Sequence, residues 1–149
     1  MFASHCNIVM ILHGLRRLDE MPHFVIDCSE NIVRQKSPAE IMRAVYEVAE
    51  GTGLFKVGDV KVRLRPYEYF QLGTGQTDFI HVFANIMEGR TIEQKANLSK
   101  KIAERLNEMF PDISGLSINI REFEKASYSN KALIHPLNTT NDRHFEVKN

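Results

Sequence analysis

At 149 residues the chain has room for one domain with a real core and too little for two of comfortable size. Nineteen basic side chains balance nineteen acidic ones, so no global field draws in nucleic acid or an anionic membrane, and any anion recognition must be local, toward a small molecule. The two cysteines, Cys6 and Cys28, fall short of a disulfide scaffold and lack the paired spacing of a zinc site, which makes a reducing cytoplasm the expected compartment.

In chain order, the apolar run from Ile8 to Leu12 is the first feature. It is too short to span a bilayer, no Lys or Arg precedes it, and Arg16 and Arg17 follow it, so it does not read as a targeting segment. Two readings of residues 1–20 stay open: an extension from an upstream start codon, or a real but poorly ordered arm. Met21 comes next, followed directly by Pro22. If translation begins at Met21 and that methionine is removed, Pro22 becomes a terminal secondary amine able to take and return a proton. Within a longer chain the same nitrogen is an amide with neither basicity nor hydrogen.

The first strand is predicted over about Pro22–Cys28. Ser37, Pro38 and Glu40 then form a capping box with proline at the first helical position. Ile41, Val45, Val48 and Ala49 repeat at helical spacing behind it, and Gly51 and Gly53 close the helix. The second strand is expected over about Asp59–Phe70, its Lys61, Arg63 and Arg65 sharing one face opposite Val60, Val62 and Leu64. After the turn-rich Gly73–Gln76, residues 79–86 read as the third strand. Thr91 and Gln94 make a second capping box. Ile102, Leu106 and Met109 carry the apolar stripe of a longer helix stopped by Pro111, and Leu116, Ile118 and Ile120 alternate in a fourth strand.

The pattern is strand, helix, strand, written twice, in units of about 22–72 and 76–125. Arg65-Pro66-Tyr67-Glu68 echoes Arg121-Glu122-Phe123-Glu124, an internal duplication about 55 residues apart. Right-handed crossovers leave the strands of each unit parallel, giving an α+β fold: a four-stranded sheet with two helices on one face. The opposite face is then uncovered in a monomer, which predicts an oligomer whose subunits cover one another. Residues from about 126 to 149 read as an irregular arm against a neighbour.

Pro22-His23-Phe24 with Cys28, Ser29 and Asn31; Thr52, Gly53 and Phe55; Gly75, Gln76 and Asp78; and Gly89, Arg90 and Glu93 together resemble the 5-carboxymethyl-2-hydroxymuconate isomerases of the tautomerase superfamily, over Pro22–Phe123. The resemblance implies a tautomerase-like domain over 21–125, a homotrimer, no cofactor, and a dienol polycarboxylate substrate from aromatic acid breakdown. It places the family's catalytic proline on Pro22 and an arginine on Arg90. The family's other arginine falls on Lys61, with Arg63 two residues on along the same face; Lys61 lacks the planar fork of arginine, so substrate binding is shared between Lys61 and Arg63 as alternatives. The implied reaction is an allylic proton shift, with burial and nearby cations lowering the pKa of the Pro22 amine.

Plainer readings stand beside these. Pro22 can simply begin a strand, Arg90 can be a surface charge at a helix start, and Lys61, Arg63 and Arg65 can be a solvated strand face. The six histidines contain no pair at helical metal-site spacing, so no metal is assigned. Cys28 and Ser29 have no base partner in sequence and belong to the strand end. Two other functions compete: a small-acid or protein-binding module without turnover, if Pro22 stays an amide, and a related enzyme acting on another unsaturated keto acid.

Overall fold

A computed structural model describes residues 21–131, 133 and 134; the leader and most of the arm fall outside the described residues. Seven elements are β1 (His23–Ser29), α1 (Glu30–Gln35), α2 (Pro38–Gly51), β2 (Lys61–Tyr67), β3 (Phe79–Met87), α3 (Ile92–Met109) and β4 (Gly115–Phe123), followed by one 3₁₀ turn at Lys125–Ser127.

Both long helices begin where local chemistry says they should. Ser37 Oγ accepts from Glu40 N at 3.3 Å while Ser37 N donates to Glu40 Oε2 at 3.0 Å, and Pro38 follows at the first helical position. These bonds, first among them the one from the Ser37 backbone, hold the Glu40 carboxyl below its usual range. Thr91 and Gln94 repeat the arrangement at α3, with bonds of 3.1 and 2.9 Å. Replacing Ser37 with Ala should therefore lower unfolding stability by about 1 kcal/mol, the usual loss of a serine cap, as read by urea denaturation.

The strands form one sheet in the order β2-β1-β3-β4. β1 and β2 run parallel from His23↔Lys61 to Ser29↔Tyr67, and β3 and β4 run parallel from Phe79↔Gly115 to Met87↔Phe123. The strands within each half are parallel, as expected. The halves are joined by an antiparallel pairing of β1 with β3, His23↔Asn85 to Cys28↔Ile80, so the sheet is mixed. Central registers repeat at a spacing of 56, since Phe24↔Ala84 becomes Ile80↔Cys28. The outer strands are slid by two residues: His23 pairs with Lys61, and its counterpart Phe79 pairs with Gly115. Arg65 therefore corresponds in place to Asn119, and the echo of Arg65 in Arg121 is an echo of sequence only.

The core lies on one face of the sheet. Phe24, Ile26 and Cys28 of β1 and Ile80, Val82, Ala84 and Ile86 of β3 are buried against Ile41, Val45 and Ala49 of α2 and Leu98, Ile102 and Leu106 of α3. Three details differ from the sequence reading. α1 was not anticipated, because Ser29 offers no side-chain cap and the helix is held by Ile32 dropping into the core rather than by a start signal. β2 starts at Lys61 and ends at Tyr67, shorter at both ends than expected. α2 runs through Gly51, and the left-handed turn falls on Gly53, φ 70°, which aims Leu54 and Phe55 back toward the sheet.

The other face carries His23, Val25 and Asp27 of β1; Lys61, Arg63 and Arg65 of β2; His81, Phe83 and Asn85 of β3; and Ser117, Asn119 and Arg121 of β4. The three cations do share it, as their alternation predicted. Cross-strand polar pairs knit it together. Arg65 lies 3.3 Å from Asp27, and the Tyr67 hydroxyl donates to the same carboxylate at 3.0 Å. His81 bonds Asn119 Oδ1 through Nε2 and Ser117 Oγ through Nδ1, each at 2.6 Å, while the Arg121 guanidinium stacks 5.2 Å from Phe83.

Candidate active site

Pro22 stands immediately before β1 and is buried. Its carbonyl accepts from Lys61 N at 3.0 Å, which extends the β1/β2 ladder one residue toward the head of the strand. Strand alternation carries Pro22 to the side of Phe24, and Phe24 meets Phe55 edge-on with ring centroids 5.9 Å apart. The Arg90 guanidinium lies 5.3 Å from the Phe55 centroid, donates from Nη2 to Leu54 O at 2.8 Å, and donates from Nη1 to Met87 O at 3.1 Å. The antiparallel register brings the end of β3 beside the start of β1, so Arg90 and Pro22 belong to the same end of the sheet. Gly89, at φ 113°, makes the turn that leads from β3 to Arg90.

Arg90 is thus a tie as well as a charge. Two of its five N–H donors hold carbonyls from separate segments, the loop after α2 and the end of β3. A cation beside the positive end of a helix is mildly unfavourable, and these bonds offset that cost. Sequence reasoning named the residue without this role, because its partner Leu54 is 36 positions away.

The two β2 cations have different surroundings. Lys61 Nζ reaches the head of β1, 2.8 Å from Met21 Sδ. Arg63 turns instead to His23, its Nη2 at 2.5 Å from His23 Nδ1. Alternation sets both side chains on the open face, whereas Pro22 and Phe24 look toward the helices. One chain therefore brings Pro22, Phe55 and Arg90 to one side of the strand head and Lys61, Arg63 and His23 to the other, with Lys61 closest to the residue that precedes Pro22. His23 and Phe55 were not singled out as site residues. Their contacts are legible only once β1 is paired with β2 and the loop after α2 is folded back.

Burial, and then the charges of Arg63 and Lys61, hold the His23 pKa below its ordinary value. Burial and the neighbouring Asp27 push the Cys28 thiol up to about 11, so it is protonated and inert at neutral pH. Ser29 Oγ accepts from Phe79 N at 3.1 Å, a structural bond at the strand end. Among the described residues no cluster of three or more His, Cys, Asp or Glu is placed to hold a metal ion, and no helix is long and apolar enough to cross a membrane.

Two strand-helix-strand halves joined through antiparallel central strands, with a proline at the head of one of them, define an α+β fold of the tautomerase class. The comparisons agree. Residues 22–137 match the family model described as 5-carboxymethyl-2-hydroxymuconate isomerase. The Escherichia coli 5-carboxymethyl-2-hydroxymuconate Delta-isomerase is 24% identical over 124 residues, covering 78% of this chain and 98% of that protein. The crystal structure of a 5-carboxymethyl-2-hydroxymuconate isomerase from Deinococcus radiodurans R1 superposes with a TM-score of 0.66 at 23% identity, covering 76% of this chain and 90% of that one. A fused 4-OT described as a wild-type symmetric trimer superposes at 0.61 with 15% identity, covering 73% and 93%. The family match spans more than half of the 149 residues, and the chain belongs to the 5-carboxymethyl-2-hydroxymuconate isomerase family. It is accordingly an isomerase.

Proposed function

We propose that this isomerase moves a proton along a conjugated dienol polycarboxylate, 5-carboxymethyl-2-hydroxymuconate or a close analogue, with Pro22 as the shuttle once it is the first residue of the chain. The observation that carries the reading is the placement of the Lys61 ammonium at the residue before Pro22, at the head of a buried central strand. With Met21 absent, Lys61 loses that sulfur contact and remains on the strand paired with the new terminus, a cation at the head of β1. A free α-amine titrates at about 7.7–8.0, and a neighbouring cation together with burial favours the neutral, basic form.

In the proposed reaction the neutral Pro22 nitrogen takes the proton of the enol hydroxyl as the enol C–O becomes a carbonyl. The electron pair is spread over the conjugated chain, and the secondary ammonium then returns the proton to a distant carbon. Nothing is oxidised or reduced, so the reading requires no cofactor. Lys61 and Arg63 supply charge to the substrate carboxylates. Arg90, whose guanidinium is held at this end of the sheet by the Leu54 and Met87 carbonyls, stabilises negative charge near Pro22 as it develops.

The uncovered sheet face supports a homotrimer of the tautomerase-like unit spanning 21–125, and the fused 4-OT of similar fold is described as a symmetric trimer. Placing Pro22 and Arg63 on opposite sides of β1 favours sites assembled from two chains. Adding the dienol to the protein should give a fall in dienol absorbance with appearance of the ketone, and sedimentation equilibrium should give three chains per particle. An unchanged spectrum with every dienol polycarboxylate tried would sink the enzymatic reading, and a stable monomer the assembly. A second reading, binding without turnover, rests on the Met21–Pro22 peptide bond of the sequence as it stands, in which Pro22 is an amide.

A further inference from the structure

The second residue of the proposed mature chain, His23, has been given no part in the reaction, yet its ring makes the shortest polar contact of the β2 cations. Guanidinium is protonated at all relevant pH values and has no acceptor. The contact of Arg63 Nη2 with His23 Nδ1 therefore has one chemical meaning: Nδ1 is unprotonated and accepts, and the ring proton of neutral His23 is on Nε2. An arginine on an exposed edge strand ordinarily samples many rotamers. This one is fixed across the ladder by a ring carried on the neighbouring, central strand.

We propose that His23 is a positioning residue, whose neutral ring clamps the Arg63 guanidinium so that its remaining donors meet a substrate carboxylate, and whose protonation releases it. The inference rests on the reading of Arg63 as a substrate-binding residue. A protonated ring has no acceptor at Nδ1 and repels the guanidinium, so the two states of His23 are an engaged and a released arginine.

The surroundings of the ring favour the engaged state. From β2 it faces Lys61 and Arg63, both cationic. From β3 it faces Asn85, which is neutral and whose Nδ2 donates to His23 O at 3.4 Å. One strand further, Arg121 of β4 lies opposite Asn85. On β1 itself the next residue on this face is Val25, and the nearest carboxylate, Asp27, is paired with Arg65 and Tyr67. No acid among these faces the ring to favour its cation, and burial acts in the same direction as the cations. The lowered pKa fixes the sign: the clamp is intact above about 6.5, the ordinary histidine value, and is lost as pH falls below it through the folded-state pKa.

The test uses the full chain and does not depend on turnover. Long-range ¹H–¹⁵N spectra of the histidine rings should show His23 as the Nε2–H tautomer with a titration midpoint below 6.5, and Arg63→Ala should shift that midpoint upward. Binding of the unreactive tricarboxylate tricarballylate, measured by calorimetry at pH 7.5, should weaken about 10-fold or more in His23→Phe, as expected for loss of a hydrogen bond to a charged group. His23→Gln, which keeps an acceptor, should bind as wild type at pH 7.5. At pH 5.5 it should bind more tightly than wild type, the comparison at equal pH cancelling titration of the ligand. A His23 tautomer and midpoint indifferent to Arg63→Ala, or equal binding by His23→Phe, overturns the proposal. Clamp results that hold in a protein that never isomerises a dienol would leave the clamp standing and remove the Pro22 mechanism; the reverse pattern separates them in the other direction.

Discussion

Protein whose first residue is Pro22 should isomerise the dienol about 10²- to 10⁴-fold faster than the same protein begun at Met1, the range typical of a single positioned acid–base group. The two forms differ by the 21 residues before Pro22, and at the Pro22 nitrogen itself the difference is an amide against a free secondary amine. In the longer chain the Pro22 nitrogen is an amide, its lone pair delocalised into the Met21 carbonyl, and it cannot take a proton at any accessible pH. The fold is expected to be the same in both, because Pro22 is anchored through its carbonyl to Lys61 N and through the burial of its ring, not through its nitrogen. Equal rates in the two forms would rule out the amine mechanism while leaving the family assignment intact. Substituting Pro22 with Ala in the short form separates basicity from ring geometry. A terminal alanine retains an amine and should retain part of the rate.

Arg90→Ala should be costly twice over. In stability, it leaves the Leu54 and Met87 carbonyls without a donor and removes the guanidinium from over Phe55. With two orphaned carbonyls at about 1–3 kcal/mol each and an aromatic–cation contact at about 0.5–1 kcal/mol, a total of roughly 2.5–7 kcal/mol is expected, measurable by denaturant unfolding. In function, Phe55 loses the contact that holds it against Phe24 beside Pro22, and the developing charge loses a donor, so kcat should fall together with carboxylate affinity. Arg90→Lys distinguishes the two roles if the alanine protein does not fold. Lysine keeps the charge and can reach one carbonyl, but it cannot bridge both and stack on the ring. Stability near that of wild type with a large loss of turnover assigns Arg90 to the chemistry. Loss of stability with unchanged turnover assigns it to the scaffold alone and removes it from the site.

The helix starts were legible because capping is local. Ser37 with Glu40 and Thr91 with Gln94 are three residues apart, and no distant contact is needed to satisfy the amides they cap. The shared face of Lys61, Arg63 and Arg65 was legible for the same reason, since a strand has a period of two whatever it pairs with. The antiparallel join of β1 to β3 was not, because both central strands are alternating and apolar and would serve a parallel or an antiparallel neighbour equally well. Nor was α1, whose six residues carry no start signal and depend on one buried isoleucine.

The sequence by itself determined the order of the four strands and the two long helices, the sides on which apolar and cationic residues fall, and the presence of a proline where a chain can begin. These are consequences of spacing along the backbone. Tertiary structure alone decided that Arg90 bridges two carbonyls, that Lys61 reaches the head of β1, and that Arg63 rests on His23 rather than beside Pro22. Each of the last three depends on a partner across a strand pairing or a loop closure of 36 to 40 residues. Such contacts are chosen by the burial of the whole core, and no short stretch of sequence encodes them.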